Sequence, residues 1–327
     1  MTILVTGAGL IGRLTAQALL DHGESVLLVD LRSPDVSALS GSGRITGAAC
    51  DVADMQALAS LIKQHSVRRI VHTAALLSTA IRQDPLAGIR VNIMGTSNVL
   101  ECARLMGLGR IVLASSSTVG YNVFGSLGPE PIAEDAPMRM SSEQPASLYA
   151  VTKLAGEHLA GVYHALYGVD VISLRYAAVL GGDASSAPTS VPGRLMHQLA
   201  AAGRSGQHLD LEDPYLLWGG KEEFVDARDC ALANVCALQA ATPQQRVFNV
   251  ATGEWFSMES FVQAMREVFP GLSVHLPPEP KTGFAGFDFQ RPAPSSVSAA
   301  SEQLGFRSRY SLADTFRHWC GAAHNDR

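Results

Sequence analysis

Tyr149 and Lys153 stand four residues apart in YAVTK, a spacing that puts two side chains on one face of a helix. A phenol titrates near pKa 10 and is a poor base at neutral pH, but a neighbouring ammonium favours its phenolate. Such a pair can take the proton of an alcohol while the carbon gives up a hydride to a nicotinamide. The bare spacing is also that of an ordinary surface pair. Ser115, Ser116 and Ser117 follow the apolar run Arg110–Ala114, and a hydroxyl at such a strand end can hold a substrate oxygen. Serine-rich strand ends are equally common as turns.

A second constellation lies at the start of the chain. Gly7-Ala8-Gly9-Leu10-Ile11-Gly12 falls between an apolar strand-like run and a helical pattern. Glycines in that place permit a tight turn, a close backbone approach to a pyrophosphate, and close packing of helix on strand. The helix N-terminus offers unpaired N–H groups to the anion. Asp30 closes the next apolar run, where a carboxylate can accept ribose hydroxyls and repel a 2′-phosphate. This selects NAD over NADP, although Arg32 stands two residues on and is suited to the phosphate. Asp51 and Val52 end a third run and are candidates for the adenine edge, or a plain helix entry.

Strands are expected at Ile3–Thr6, Ser25–Asp30, Arg44–Cys50, Arg69–Thr73, Arg110–Ala114 and Val169–Leu174. Helical spacing separates them: residues 10–22, 54–65, about 85–106 and 149–167. This alternation predicts an α/β fold, a Rossmann-type doubly wound parallel sheet. Beyond about residue 180 the rhythm breaks among prolines and glycines, with helices near 228–239, 258–268 and 312–320. We therefore expect a dinucleotide-binding domain over 1–180. A smaller, irregular C-terminal substrate-binding lobe over 181–327 is interleaved with it.

Composition narrows the classes. Hydrophobic residues make up 47% and charged residues 17%, which is the balance of a globular chain. A net charge of −5 argues against nucleic acid, whose binding needs a basic face. No apolar run of about 18 residues exists to span a membrane. With no basic segment before an apolar stretch at the N-terminus, a cytoplasmic location is the expectation. Five dispersed cysteines and ten histidines without ligand spacing predict neither disulfides nor a metal.

The chain resembles the extended short-chain dehydrogenase/reductase family, also called the NAD-dependent epimerase/dehydratase family. The matching stretches include TGAGLIG, VHTAA at 71–75, VNIMGTSNVLECA at 91–103, SSSTVGY at 115–121, YAVTKLAGE at 149–157 and LRYAAVLG at 174–181. FVDARDCA at 224–231 and FNVATGE at 248–254 extend the likeness. The resemblance implies Tyr149 as base, Lys153 as its partner and Ser116 as the third member, with Ser117 an alternative. It places Ala74 and Ala75 against the cofactor and Asn92 on a helix behind the site. It also implies a homodimer formed through the two long helices, with Ile93, Val99, Leu154, Leu159 and Val162 available to that face or to a core.

The departures from the family pattern bear on the reaction. The glycine turn is one residue shorter between its first two glycines. Ser117 and Thr118 stand where dehydratases of the family carry Asp-Glu, so the carboxylates for water elimination are missing. Ala178 stands where sugar-nucleotide epimerases have an Asn holding the diphosphate, whereas Arg291 in QRPAP matches a diphosphate-binding Arg. Val119-Gly120-Tyr121 replaces the family's V-Y-G. The first reading is thus an NAD-dependent oxidoreductase acting on a hydroxyl or carbonyl carbon of a small polyhydroxylated or sugar-derived substrate. The second is a nucleotide-sugar 4-epimerase that retains its NAD, and the third a non-catalytic dinucleotide sensor.

Overall fold

The computed structural model describes residues 1–41, 43–137, 147–182, 188 and 190–321. Its centre is a seven-stranded sheet made of β1 Thr2–Thr6, β2 Ser25–Asp30, β3 Ile45–Ala49, β4 Val67–His72, β5 Ile111–Ser116, β6 Val171–Tyr176 and a late strand, Val247–Val250. The order across it is late strand, β6, β5, β4, β1, β2, β3, and every pairing is parallel. Strands buried on both faces need near-continuous apolar runs, and Ile3–Val5 of β1 and Val26–Val29 of β2 supply them. The strand order reverses between β1 and β4, and in such sheets the crevice at that reversal takes the ligand.

The helices follow from capping signals as much as from periodicity. α1 Leu10–Asp21 starts at the glycine turn. α2 Met55–Gln64 is capped by the Asp54 carboxylate, which accepts from the N–H groups of Gln56 and Ala57, as the sequence leads one to expect. The expected long helix at 85–106 is a composite: after a short α3 Ser78–Gln83 come α4 Pro85–Ile89, a wide turn Arg90–Met94 and α5 Gly95–Met106. α5 ends where Gly107 turns left-handed at φ +58°. α6 Leu148–Tyr167 carries Tyr149 and Lys153, is capped by Ser147 and stops at Gly168, φ +69°.

Past β6 the chain makes β7 Ala178–Leu180, α7 Val191–Ser205, β8 Leu209–Asp210, β9 Glu222–Asp226, α8 Ala227–Gln239, the late strand of the main sheet (β10), β11 Trp255–Phe256, α9 Met258–Val268, β12 Val274–His275 and α10 Leu312–Trp319. α7 and the strand β10 had no counterpart in the sequence reading. β10 closes the main sheet beside β6, and Ala233 and Leu238 of α8 pack into the same core as Ala16 and Leu19 of α1. A second core gathers Trp218, Phe224, Phe261, Phe284 and Phe316 with Leu195 and Leu199. It sits over the small sheet β11–β9–β7.

Asp229, fully buried at the start of α8, fastens the later chain to this frame. It accepts the Ser308 hydroxyl at 2.8 Å and the backbone N–H groups of Arg309 and Tyr310 at 3.0 to 3.3 Å. Removing it leaves buried donors without a partner. Asp229→Ala is expected to lower unfolding free energy by about 1–3 kcal/mol, measured by urea denaturation. A change within error would show that water replaces the carboxylate there.

Candidate active site

The glycine turn separates three roles. Gly7 has φ +86°, and a Cβ there would stand 2.7 Å from the backbone of Ala74. A Cβ on Gly12 would collide with the Gly7 carbonyl, so this glycine lets α1 sit against β1. Beside Gly9 there is nothing within 4 Å, leaving its backbone open to a phosphate. Thr73 ties the two strand ends together by donating its hydroxyl to the carbonyls of Thr6 and Gly7 at 2.8 and 3.1 Å. Leu10 is exposed and Ile11 packs inward against the core. Turn, open backbone and helix N-terminus together fit a dinucleotide pyrophosphate.

Asp30 sits at the end of β2 with both carboxylate oxygens anchored. Oδ2 accepts from the Ala8 N–H at 2.8 Å and Oδ1 from the Leu31 N–H at 2.7 Å. The acid thus fixes the turn at the end of β2, while Arg32 is exposed. Asp51 accepts from the Ala53 N–H and pairs with Arg90 at 2.9 Å. Val52 is a packing residue: it is buried, and a Cβ on Gly95 would come 2.7 Å from its methyl. Ala74 and Ala75 are half-buried on the loop leaving β4.

Asn92 lies inside the wide turn and is buried. Its Oδ1 accepts from the Leu76 N–H, and its Nδ2 donates to the Leu76 carbonyl and to the Thr152 hydroxyl at 3.0 Å. One side chain therefore clamps the loop after β4 to the helix that bears Tyr149 and Lys153. His72 is buried. It bonds the hydroxyls of Thr6 and Thr96, and burial with Lys153 nearby pushes it down to about 3.

The three serines are sorted by the pleat of β5. Ser115 points away and donates to Glu157 at 2.5 Å. Ser116 accepts from the Thr118 hydroxyl at 3.0 Å and is near enough to the Tyr149 phenol to lower its proton affinity. Ser117 turns toward Tyr121. Lys153 donates to the Ala114 carbonyl at 2.7 Å, and its ammonium lies 5.7 Å from the centre of the Tyr149 ring. The structure thus brings Ser116, Tyr149 and Lys153 together at the carboxyl edge of the sheet.

The electrostatics differ from the expectation that Lys153 depresses the phenol. Burial pushes Tyr149 up to about 12, opposed by Ser116. Burial brings Lys153 down to about 8, and Glu157, one turn further along α6, opposes that. The ammonium is spent on a carbonyl instead of the phenolate, so desolvation governs both groups.

Arg291 lines a small cleft beside Ser117, with Gly120, Phe124, Arg175, Asn249 and Ser295. Its Nε bonds Glu222 at 2.7 Å and its Nη1 stands 3.3 Å from Glu223, while Phe124 stacks on the guanidinium at 4.9 Å. The expected substrate contact therefore has its charge already engaged. The acidic pair Glu222-Glu223 was missed in the sequence. Its signal was two adjacent acids leading into the apolar run FV, which demands a buried cation.

A UDP-glucuronate 4-epimerase of Thermodesulfobacterium geofontis is 33% identical over 54% of this chain, and the match spans only 56% of that relative's length. A UDP-glucose 4-epimerase of Mycolicibacterium smegmatis is 31% identical over 96% of both chains. Among solved structures, an L-threonine dehydrogenase from Cupriavidus necator superimposes with a TM-score of 0.76 at 25% identity, covering 98% of this chain and 99% of that one. The model of the NAD dependent epimerase/dehydratase family matches residues 3–251, and the chain belongs to that family.

Proposed function

We propose that the protein is an oxidoreductase that uses NAD to interconvert a hydroxyl and a carbonyl carbon on a small polyhydroxylated or sugar-derived substrate. The observation that carries this reading is the convergence of Ser116, Tyr149 and Lys153 at the carboxyl edge of the sheet, with the Lys153 ammonium 5.7 Å from the centre of the Tyr149 ring and anchored on the Ala114 carbonyl. When bound, the dinucleotide supplies the hydride acceptor or donor. Gly7, Gly9 and Gly12 would seat its pyrophosphate, Asp30 its ribose, and Lys153 its second ribose. Ser116 holds the substrate oxygen, and Ser117 lines the cleft beside it. Tyr149 takes its proton in oxidation and returns it in reduction.

A specific observation favours a second reading, a nucleotide-sugar 4-epimerase retaining NAD: the match to a UDP-glucose 4-epimerase over nearly the full chain. Against it stands Ala178, a half-buried residue of β7 without an amide to offer a diphosphate.

Two further proposals concern assembly and location. α4, the wide turn, α5 and α6 expose Leu86, Met94, Leu105, Val162, Leu166 and Tyr167, apolar surface that supports a homodimer of this chain. Of the residues named from sequence, Val99 is instead fully buried and Leu159 packs against the core. Five free cysteines accord with a reducing, cytoplasmic setting. No helix among the described residues is long and apolar enough to cross a membrane.

Tyr149→Phe is expected to lower kcat by roughly 10²–10⁴-fold. Only the phenolate accepts a proton, so with the phenol near 12, kcat/KM for oxidation climbs by up to about tenfold per pH unit. Reduction, served by the neutral phenol, stays level below about 8, where Lys153 keeps its charge. A pH-independent oxidation, or an active Phe variant, would contradict this role. Asp30→Ala is expected to cut the preference for NAD over NADP by about tenfold or more, read from the ratio of kcat/KM values; an unchanged ratio would transfer selectivity elsewhere. For the dimer, sedimentation should give twice the chain mass for the wild type and one chain mass for Leu166→Glu. A wild-type monomer at micromolar concentration refutes it.

A further inference from the structure

The cleft beside Ser117 is lined by two guanidinium groups among the described residues, and each already has carboxylate partners. Arg175 grips Glu157 at 2.7 Å, and its Nη1 donates to the Glu134 carbonyl. Arg291 lies between Glu222 and Glu223, whose side chains are 3% and 0% exposed. Glu223 also accepts the Ser295 hydroxyl at 2.6 Å and the Ser295 N–H. Glu222 accepts the N–H of Glu223 at 2.8 Å. One cation therefore faces two carboxylates, and protonating Glu223, which its burial favours, brings the trio only to neutrality. The Nη2 of Arg291 keeps a buried N–H group without a partner among the described residues, which can serve a neutral acceptor. A diphosphate entering here would leave water for that single group and a wall with no net positive charge, which is costly without further cations or a set of N–H donors.

We propose that Glu222 and Glu223 are specificity determinants. By holding the charge of Arg291 they exclude diphosphate-bearing molecules from the cleft and admit small substrates that present an uncharged hydrogen-bonding group at that end. This assignment rests on the oxidoreductase reading above and narrows its substrate class. A purely structural strap would behave differently: loss of the acids would lower stability and leave ligand selectivity unchanged.

The test is calorimetric titration of UDP and of UDP-glucose into the full chain with NAD present at low salt. The wild type is expected to show no saturable binding up to millimolar ligand. The double variant Glu222→Gln/Glu223→Gln leaves one uncompensated guanidinium, and UDP affinity is expected to rise by about tenfold or more. Micromolar binding of UDP by the wild type would overturn the assignment, as would a double variant that melts cooperatively yet binds no better. Should the double variant fail to fold, the wild-type titration decides alone. NAD reduction by small alcohols is followed in the same preparations. Its absence counts against the oxidoreductase reading, whereas UDP binding counts against the role of Glu222 and Glu223.

Discussion

The structure depends on how closely two loops approach at the reversal of the sheet. Gly7, leaving β1 with φ +86°, lies so near the backbone of Ala74, leaving β4, that no Cβ fits between them. Thr73 closes the same gap by donating to the carbonyls of Thr6 and Gly7. This contact opens the crevice above it, because the chain must diverge on either side: toward α1 with its free N–H groups, and toward the loop held by Asn92. Asn92 passes the constraint on to α6 through Thr152. The phosphate turn and the Tyr149 helix are thereby positioned by one continuous set of backbone and side-chain bonds.

Burial sets the chemistry within that frame. It raises the Tyr149 phenol and lowers the Lys153 ammonium together, so the neutral form of each is favoured and their proton affinities are driven apart. Ser116 works against the first shift and Glu157 against the second. Glu157 is itself held by Arg175 and Ser115, so the pair rests on a buried ionic layer beneath β5 and β6. The same economy appears at Arg291, where carboxylates rather than a ligand meet a buried charge.

Much of this was legible in the sequence, for identifiable reasons. Ser25–Asp30 and Met258–Val268 were readable to the residue, since continuous apolar runs and amphipathic spacing answer to a single physical demand. Gly107 and Gly168 marked helix ends because left-handed caps favour glycine. Residues 85–106 read as one helix because their periodicity is unbroken; the wide turn at Arg90–Met94 serves Asn92, a tertiary requirement that leaves no local trace. β10 was lost among turn-rich sequence; α7 was overlooked although Ser190 caps it and Pro192 stands in its first turn, where proline suits a helix start. Which of the three serines faces Tyr149 was decided by the pleat of β5, and the partners of Arg291 by contacts 69 positions distant along the chain.

The central claim is net hydride transfer with a free substrate rather than a hydride returned within one bound intermediate. The most direct measurement follows the absorbance of reduced cofactor when the purified protein meets NAD and a panel of sugars, aldonates, hydroxy acids and nucleotide sugars. Accumulation of NADH with a small hydroxylated substrate, from protein that carries no retained cofactor, is the predicted result. Tightly retained NAD, no net reduction, and interconversion of a nucleotide sugar would contradict it.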